Sequence, residues 1–169
     1  MKKQLLTLLI TVCALSTPFL MQGQTLEKET PVKVGGEVKT PLLINGAELG
    51  KFRKTLVNRK DRDGNNHVYS GAVLADILQQ AGAVSGKELK GANLTKYLLV
   101  EAIDGYQVIF AMAELYPDFT DRVIILANEM DGKPLPASDG PFRIIVQDEK
   151  KPARCIKQVT GLFVKNTGQ

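Results

Sequence analysis

One segment of this chain has clear helical periodicity, and it constrains the fold more than any other. In SGAVLADILQQAG, residues 70–82, the apolar side chains Val73, Leu74, Ile77, Leu78 and Ala81 recur at three- and four-residue spacing. Asp76, Gln79 and Gln80 fall on the other face. Such a stripe must be buried against a partner surface. Ser70 is placed to cap the helix, and Gly82 to stop it.

The partner surface has to come from strands. RKTLVN (53–58), RVIILANE (122–129), FRIIV (142–146) and ARCIKQVTGLFV (153–164) are apolar and rich in β-branched residues. VKVGGEVKTPLLING (32–46) holds two extended stretches broken at Gly35-Gly36 and Thr40-Pro41. KYLLVEAIDGYQVIFA (96–111) is two runs joined at Asp104-Gly105, the signature of a hairpin. AMAELYP (111–117) predicts a short helix ended by Pro117, and KDRDGNN (60–66) a turn. Strands and helices do not alternate regularly, so the sequence predicts an α+β domain with a mixed β-sheet and a few short helices.

The N-terminus reads as a targeting segment. Lys2 and Lys3 precede an uncharged, mostly apolar run from Leu5 to Leu20. Pro18 interrupts this run, which favours an export signal over a membrane anchor. Val12 is too bulky to precede a lipidated Cys13. The expected organisation is therefore a signal peptide over 1–24, a linker and first strand over 25–39, and a domain over 40–166. The expected location is periplasmic or secreted, with no transmembrane span after signal removal. Removing 1–24 takes away two lysines and leaves 20 basic against 18 acidic residues, a net charge of +2. So balanced a surface offers no nucleic-acid footprint. The remaining cysteine, Cys155, has no internal disulfide partner, and its simplest reading is a buried, inert thiol.

Several familiar sites are disfavoured. Asp61, Asp63 and Asn65 alternate as in a calcium loop, but the twelfth position is Ala72 where a carboxylate is needed. His67, the one histidine, lies in a polar stretch, a poor setting for a Ser-His-Asp triad. With Cys155 it gives too few ligands for zinc. VGGEV has the wrong spacing for a phosphate loop. Tyr97, Tyr106 and Tyr116, with no tryptophan, form no evident stacking platform. Asp104 and Glu114 leave paired-carboxylate chemistry open, although turn capping explains Asp104 more simply.

Four segments in order resemble the molybdopterin-binding domain of the sulfite-oxidase family: YSGAVLADILQQAG, DGYQVIFAMAEL, VIILANEMDGKPLPASDGPFRIIV and ARCIKQVTGLFV. The resemblance spans residues 40–165 and implies that family's fold, with 131–146 as one wall of a pterin pocket. It places the basic residues that meet the pterin's phosphate at Arg143, Arg154 and Lys157, and the active-site tyrosine at Tyr106. Arginine suits phosphate because its planar fork of donors matches the oxygens. Solvated strand charges are the competing reading; it is weaker for Arg143, whose neighbours in FRIIV are apolar, and the plainer one for Lys157.

The chain also departs from the family. Its enzymes hold molybdenum through a cysteine thiolate, and Asn58 or a neighbour stands at that position. An amide cannot replace a soft, anionic ligand. Ser138-Asp139 replaces the family's histidine before the Gly-Pro break, and the region upstream of the domain is too short to complete the enzyme's pocket. The signal has no Arg-Arg pair, as expected of a route that threads unfolded chains without a cofactor. The sequence therefore points to a module that binds a small anionic ligand or an envelope protein partner, with no cofactor expected. The competing reading is a molybdopterin-dependent oxidoreductase of the sulfite oxidase type.

Overall fold

The computed structural model describes residues 30–168. The signal expected over 1–24 lies outside the described residues. Strands β1 (Val32–Gly36), β2 (Leu42–Ile44), β5 (Lys96–Ala102), β6 (Gln107–Ala111) and β10 (Val159–Asn166) form one sheet in the order β2-β1-β10-β5-β6. Strands β3 (Thr55–Lys60), β4 (Asn66–Val73), β7 (Ile124–Met130) and β8 (Lys133–Pro134) form the second. In that sheet β9 (Arg143–Val146) pairs with β7. β1 runs parallel to β10, so the first strand is built into the domain's sheet.

Two short helices complete the frame: α1 (Gly46–Leu49) and α2 (Leu74–Gln80). The sequence reading did not anticipate α1, where Asn45 Oδ1 accepts the Glu48 N–H at 2.8 Å. The periodic stripe of α2 is buried as expected: Leu74, Ile77 and Leu78 pack among Leu98, Phe110, Leu126 and Leu162, side chains from both sheets. Its end is a Schellman stop. The Gly82 N–H bonds to Gln79 O and the Ala83 N–H to Leu78 O, with Gly82 at φ +75°.

The start of α2 differs from the prediction. Ser70 does not cap it. β4 continues to Val73 because Ala72 and Val73 pair with Leu126 and Ile125. Ser70 therefore sits in a strand and donates to Glu129 Oε2 at 2.7 Å. Two other elements are shorter or tighter than predicted. Residues Met112–Leu115 make a 3-10 turn. The last segment opens with a 3-10 turn at Pro152–Arg154, and β10 begins only at Val159, after Gln158 at φ 48°. Arg154 and Lys157 are thus on an irregular link and not on a strand.

β7 and β9 are covered on both faces, which explains their continuous apolar runs. Ile124, Leu126, Ile144 and Val146 join the main core. Ile125, Ala127 and Ile145 join a second, smaller cluster with Val57, Tyr69 and Leu135. Alternation along β9 puts Arg143 on the face of Ile145, opposite Ala127 and beside that smaller cluster. This arrangement delivers an arginine, 4% exposed, into an otherwise apolar layer.

Candidate functional site

At the end of the smaller cluster lies an open cavity of about 600 Å³. Four connections converge on it. The β3–β4 turn contributes Asp61 and Asp63, and the β5–β6 turn contributes Asp104 and Tyr106. The loop before β9 contributes Ser138 and Asp139, and the link before β10 contributes Cys155 and Lys157. Tyr69 of β4 and Arg143 of β9 form its floor.

A buried charge network organises that floor. Arg143 Nη1 donates to Asp139 Oδ2 at 2.8 Å and to the Tyr69 hydroxyl at 2.8 Å, with Asp61 Oδ2 at 3.5 Å. Its guanidinium carbon stands 5.2 Å from the Tyr69 ring centroid. Tyr69 donates its own proton to Asp61 Oδ2. Asp61 is held from the other side by Arg59 Nε at 3.2 Å. Arg59 is itself buried and donates to the carbonyls of Val146 and Glu149. Burial pushes the Tyr69 hydroxyl above its ordinary range, and its bond to Asp61 reinforces the effect, so it stays protonated.

Asp139 links Arg143 to Lys157, whose Nζ donates to Asp139 Oδ1 at 2.7 Å. Ser138 Oγ donates to the same oxygen at 3.0 Å. Burial opposes ionisation of Asp139. The Lys157 and Ser138 hydrogen bonds and the charge of Arg143 outweigh it and hold the carboxyl below the usual range. One edge of Arg143 is left over. Nε is buried with no hydrogen-bond partner, and Nη2 makes no hydrogen bond among the described residues. A buried donor without an acceptor is costly, so an unpaired guanidinium edge at a cavity wants an oxygen.

The four residues expected to form the site do not all meet. Arg143 and Lys157 are brought together through Asp139. Tyr106 stands half-exposed at the mouth, where its hydroxyl donates to Ala153 O at 3.1 Å and ties the β5–β6 turn to the link before β10. Arg154 does not line the cavity. Its Nε and Nη2 serve Glu149, its Nη1 serves Glu114, and its guanidinium covers the Phe110 ring at 4.8 Å. Glu114 is one arm of this clamp and is not paired with Asp104.

Sequence reasoning missed Asp61 and Tyr69 as parts of the floor, and His67 as a rim residue. The alternation His67-x-Tyr69 in a strand was the available signal for the pair. His67 Nδ1 meets Asp131 Oδ2 at 2.7 Å and Nε2 meets Asp63 Oδ2 at 3.0 Å. The bond to Asp131, then that to Asp63, raises its pKa to about 9. Both ring nitrogens are occupied and the ring is charged at neutral pH, so it cannot act as the base of a triad.

The cavity wall offers no thiolate. Cys155 is 4% exposed, and burial raises its thiol pKa. Asn58 is an exposed residue of β3, paired with Val68 and outside the cavity. Among the described residues, no group of three or more His, Cys, Asp or Glu is arranged to hold a metal ion.

A model of the family described as oxidoreductase molybdopterin binding domain matches residues 21–168. No curated protein matches the sequence. Among solved structures, 22 chains match. One is the crystal structure of the sulfane dehydrogenase SoxCD from Paracoccus pantotrophus, with a TM-score of 0.63 and 19% identity. The match covers 82% of this chain but only 39% of that one. At this identity the likeness concerns the fold, which is the sulfite-oxidase-type molybdopterin-binding fold expected from the sequence.

Proposed function

The chain belongs to the oxidoreductase molybdopterin-binding domain family, and we propose that it uses the family's pocket to bind a small anionic ligand without transferring oxygen atoms. The Arg143 guanidinium lining the cavity, with its buried Nε and its Nη2 both free of hydrogen bonds among the described residues, carries this reading. Two parallel N–H groups donate to a planar pair of oxygens, and a charge-assisted pair is stronger than a neutral one. Lys157, half-exposed at the same wall, adds a second cation.

The residues present do not fit a protein-ligated molybdenum. Asn58 or a neighbour stands at the family's ligand position, residues 53–66 hold no cysteine, and Asn58 lies outside the cavity. Cys155, the thiol in the wall, is buried in its protonated form. Only the thiolate is a metal ligand. No redox step is therefore assigned to this chain.

Export is part of the same proposal, supported by Lys2, Lys3 and the uncharged run that follows. Among the described residues no helix is long and apolar enough to cross a membrane.

Titration calorimetry of the purified chain with acetate, benzoate and inorganic phosphate tests the binding reading. Arg143→Ala should weaken whichever anion binds by about 1.5–3 kcal/mol, the contribution of a hydrogen bond to a charged group. Unchanged affinity would remove Arg143 from the seat. Molybdenum by mass spectrometry, with pterin fluorescence of the denatured extract, tests the non-redox reading on protein from its native source. Stoichiometric metal and pterin would overturn it.

A further inference from the structure

Resting on the anion seat just described, we propose that the cavity selects a singly charged organic carboxylate over a phosphoryl dianion, and that Asp139 sets this preference. The inner network contains the cations Arg59, Arg143 and Lys157 and the anions Asp61 and Asp139. It carries one positive charge in excess. A monoanion on the free edge of Arg143 brings this network to neutrality. A dianion leaves a buried negative charge uncompensated, and such charges are strongly disfavoured in a partly desolvated site.

Asp139 is the residue that removes the second positive charge. It is 7% exposed, and each of its carboxylate oxygens faces a cation. Its backbone is fixed from both sides, its N–H bonding to Pro136 O at 2.8 Å and its carbonyl accepting the Gln158 N–H at 2.9 Å. The carboxylate is held on that fixed backbone by Arg143, Lys157 and Ser138. The rim leaves this balance unchanged: Arg62 and the charged His67 line it together with Asp63 and Asp104, two cations against two anions. The apolar part of the wall, from Met130, Ala153 and Ile156, suits a carboxylate carrying a hydrocarbon or aromatic body.

Benzoate and phenyl phosphate share one ring and differ in charge at about pH 7.5, where the phosphate monoester is mostly a dianion. Calorimetric titration of the full chain should show benzoate binding at least about tenfold more tightly, a difference of about 1.4 kcal/mol. Asp139→Asn keeps the side-chain shape and adds one net positive charge, so it should narrow or reverse that ratio. The wild-type ranking needs no variant and stands even if Asp139→Asn fails to fold. Phenyl phosphate binding equally well or better to the wild type would overturn the selectivity. If that binding were lost in Arg143→Ala, the anion seat itself would survive. Binding of neither probe would overturn both readings. A benzoate preference unchanged in folded Asp139→Asn would remove Asp139 from the role assigned to it.

Discussion

Tyr69→Phe isolates the polar contribution of the cavity floor. The ring is fully buried, and removing the hydroxyl leaves its apolar contacts in place, so no core cavity is created. What is lost is one bond accepted from Arg143 Nη1 at 2.8 Å and one donated to Asp61 Oδ2. Both involve charged partners, and each such bond contributes about 1.5–3 kcal/mol. Neither partner is abandoned. Arg143 keeps Asp139 at 2.8 Å, and Asp61 keeps Arg59 at 3.2 Å. The net destabilisation should therefore fall at or below the lower end of the sum, about 2–3 kcal/mol. Urea unfolding followed by circular dichroism would measure it as a lower midpoint with an unchanged slope. The double-mutant cycle with Asp61→Asn should give a coupling of about 1–2 kcal/mol, because the two residues share one network. A loss below about 0.5 kcal/mol, the ordinary range for a substitution away from any such feature, would refute the bridging role of the hydroxyl.

Other parts of the molecule give independent tests. Leu78→Ala removes a fully buried side chain of α2 and should cost about 2–5 kcal/mol in the same assay; a near-zero effect would mean that the helix face is not core. The single histidine gives one set of ring C–H signals in proton NMR, and His67 should titrate with a midpoint of about 9. Because its folded pKa is raised, its stabilisation is complete below about 6.5 and is lost as pH rises through the folded value. Asp131→Asn should move the midpoint down; a wild-type midpoint near the ordinary imidazole value would sink the two-carboxylate clamp. Cys155 should react slowly with a thiol reagent in the folded protein at neutral pH and quickly in urea. Fast stoichiometric labelling of the native chain would contradict its burial.

Elements governed by local pattern were legible in the sequence. The stripe of α2 and its Gly82 stop, the hairpin at Asp104-Gly105, the apolar runs of β7 and β9, and the turn between β3 and β4 each follow from spacing or turn chemistry within a few residues. Errors came where a distant partner decided the outcome. Ser70 looks like a cap in sequence, but pairing with β7 keeps it in a strand. Residues 153–158 look extended, but Pro152 opens a 3-10 turn, and Ile156 O accepts a bond from Ile144 N across the sheet boundary.

The sequence by itself determined the fold class, because periodicity and turn residues act locally and the order of four segments is specific. It also singled out Arg143 as a charged residue inside an apolar strand. Only the tertiary structure decided what that charge meets. Asp61, Tyr69, Asp139 and Lys157 come from segments far apart in the chain, and their contacts depend on strand register and loop closure that no local pattern encodes. For the same reason Arg154, equally prominent in the sequence, ends in a clamp between Glu114 and Glu149, while the free guanidinium edge belongs to Arg143.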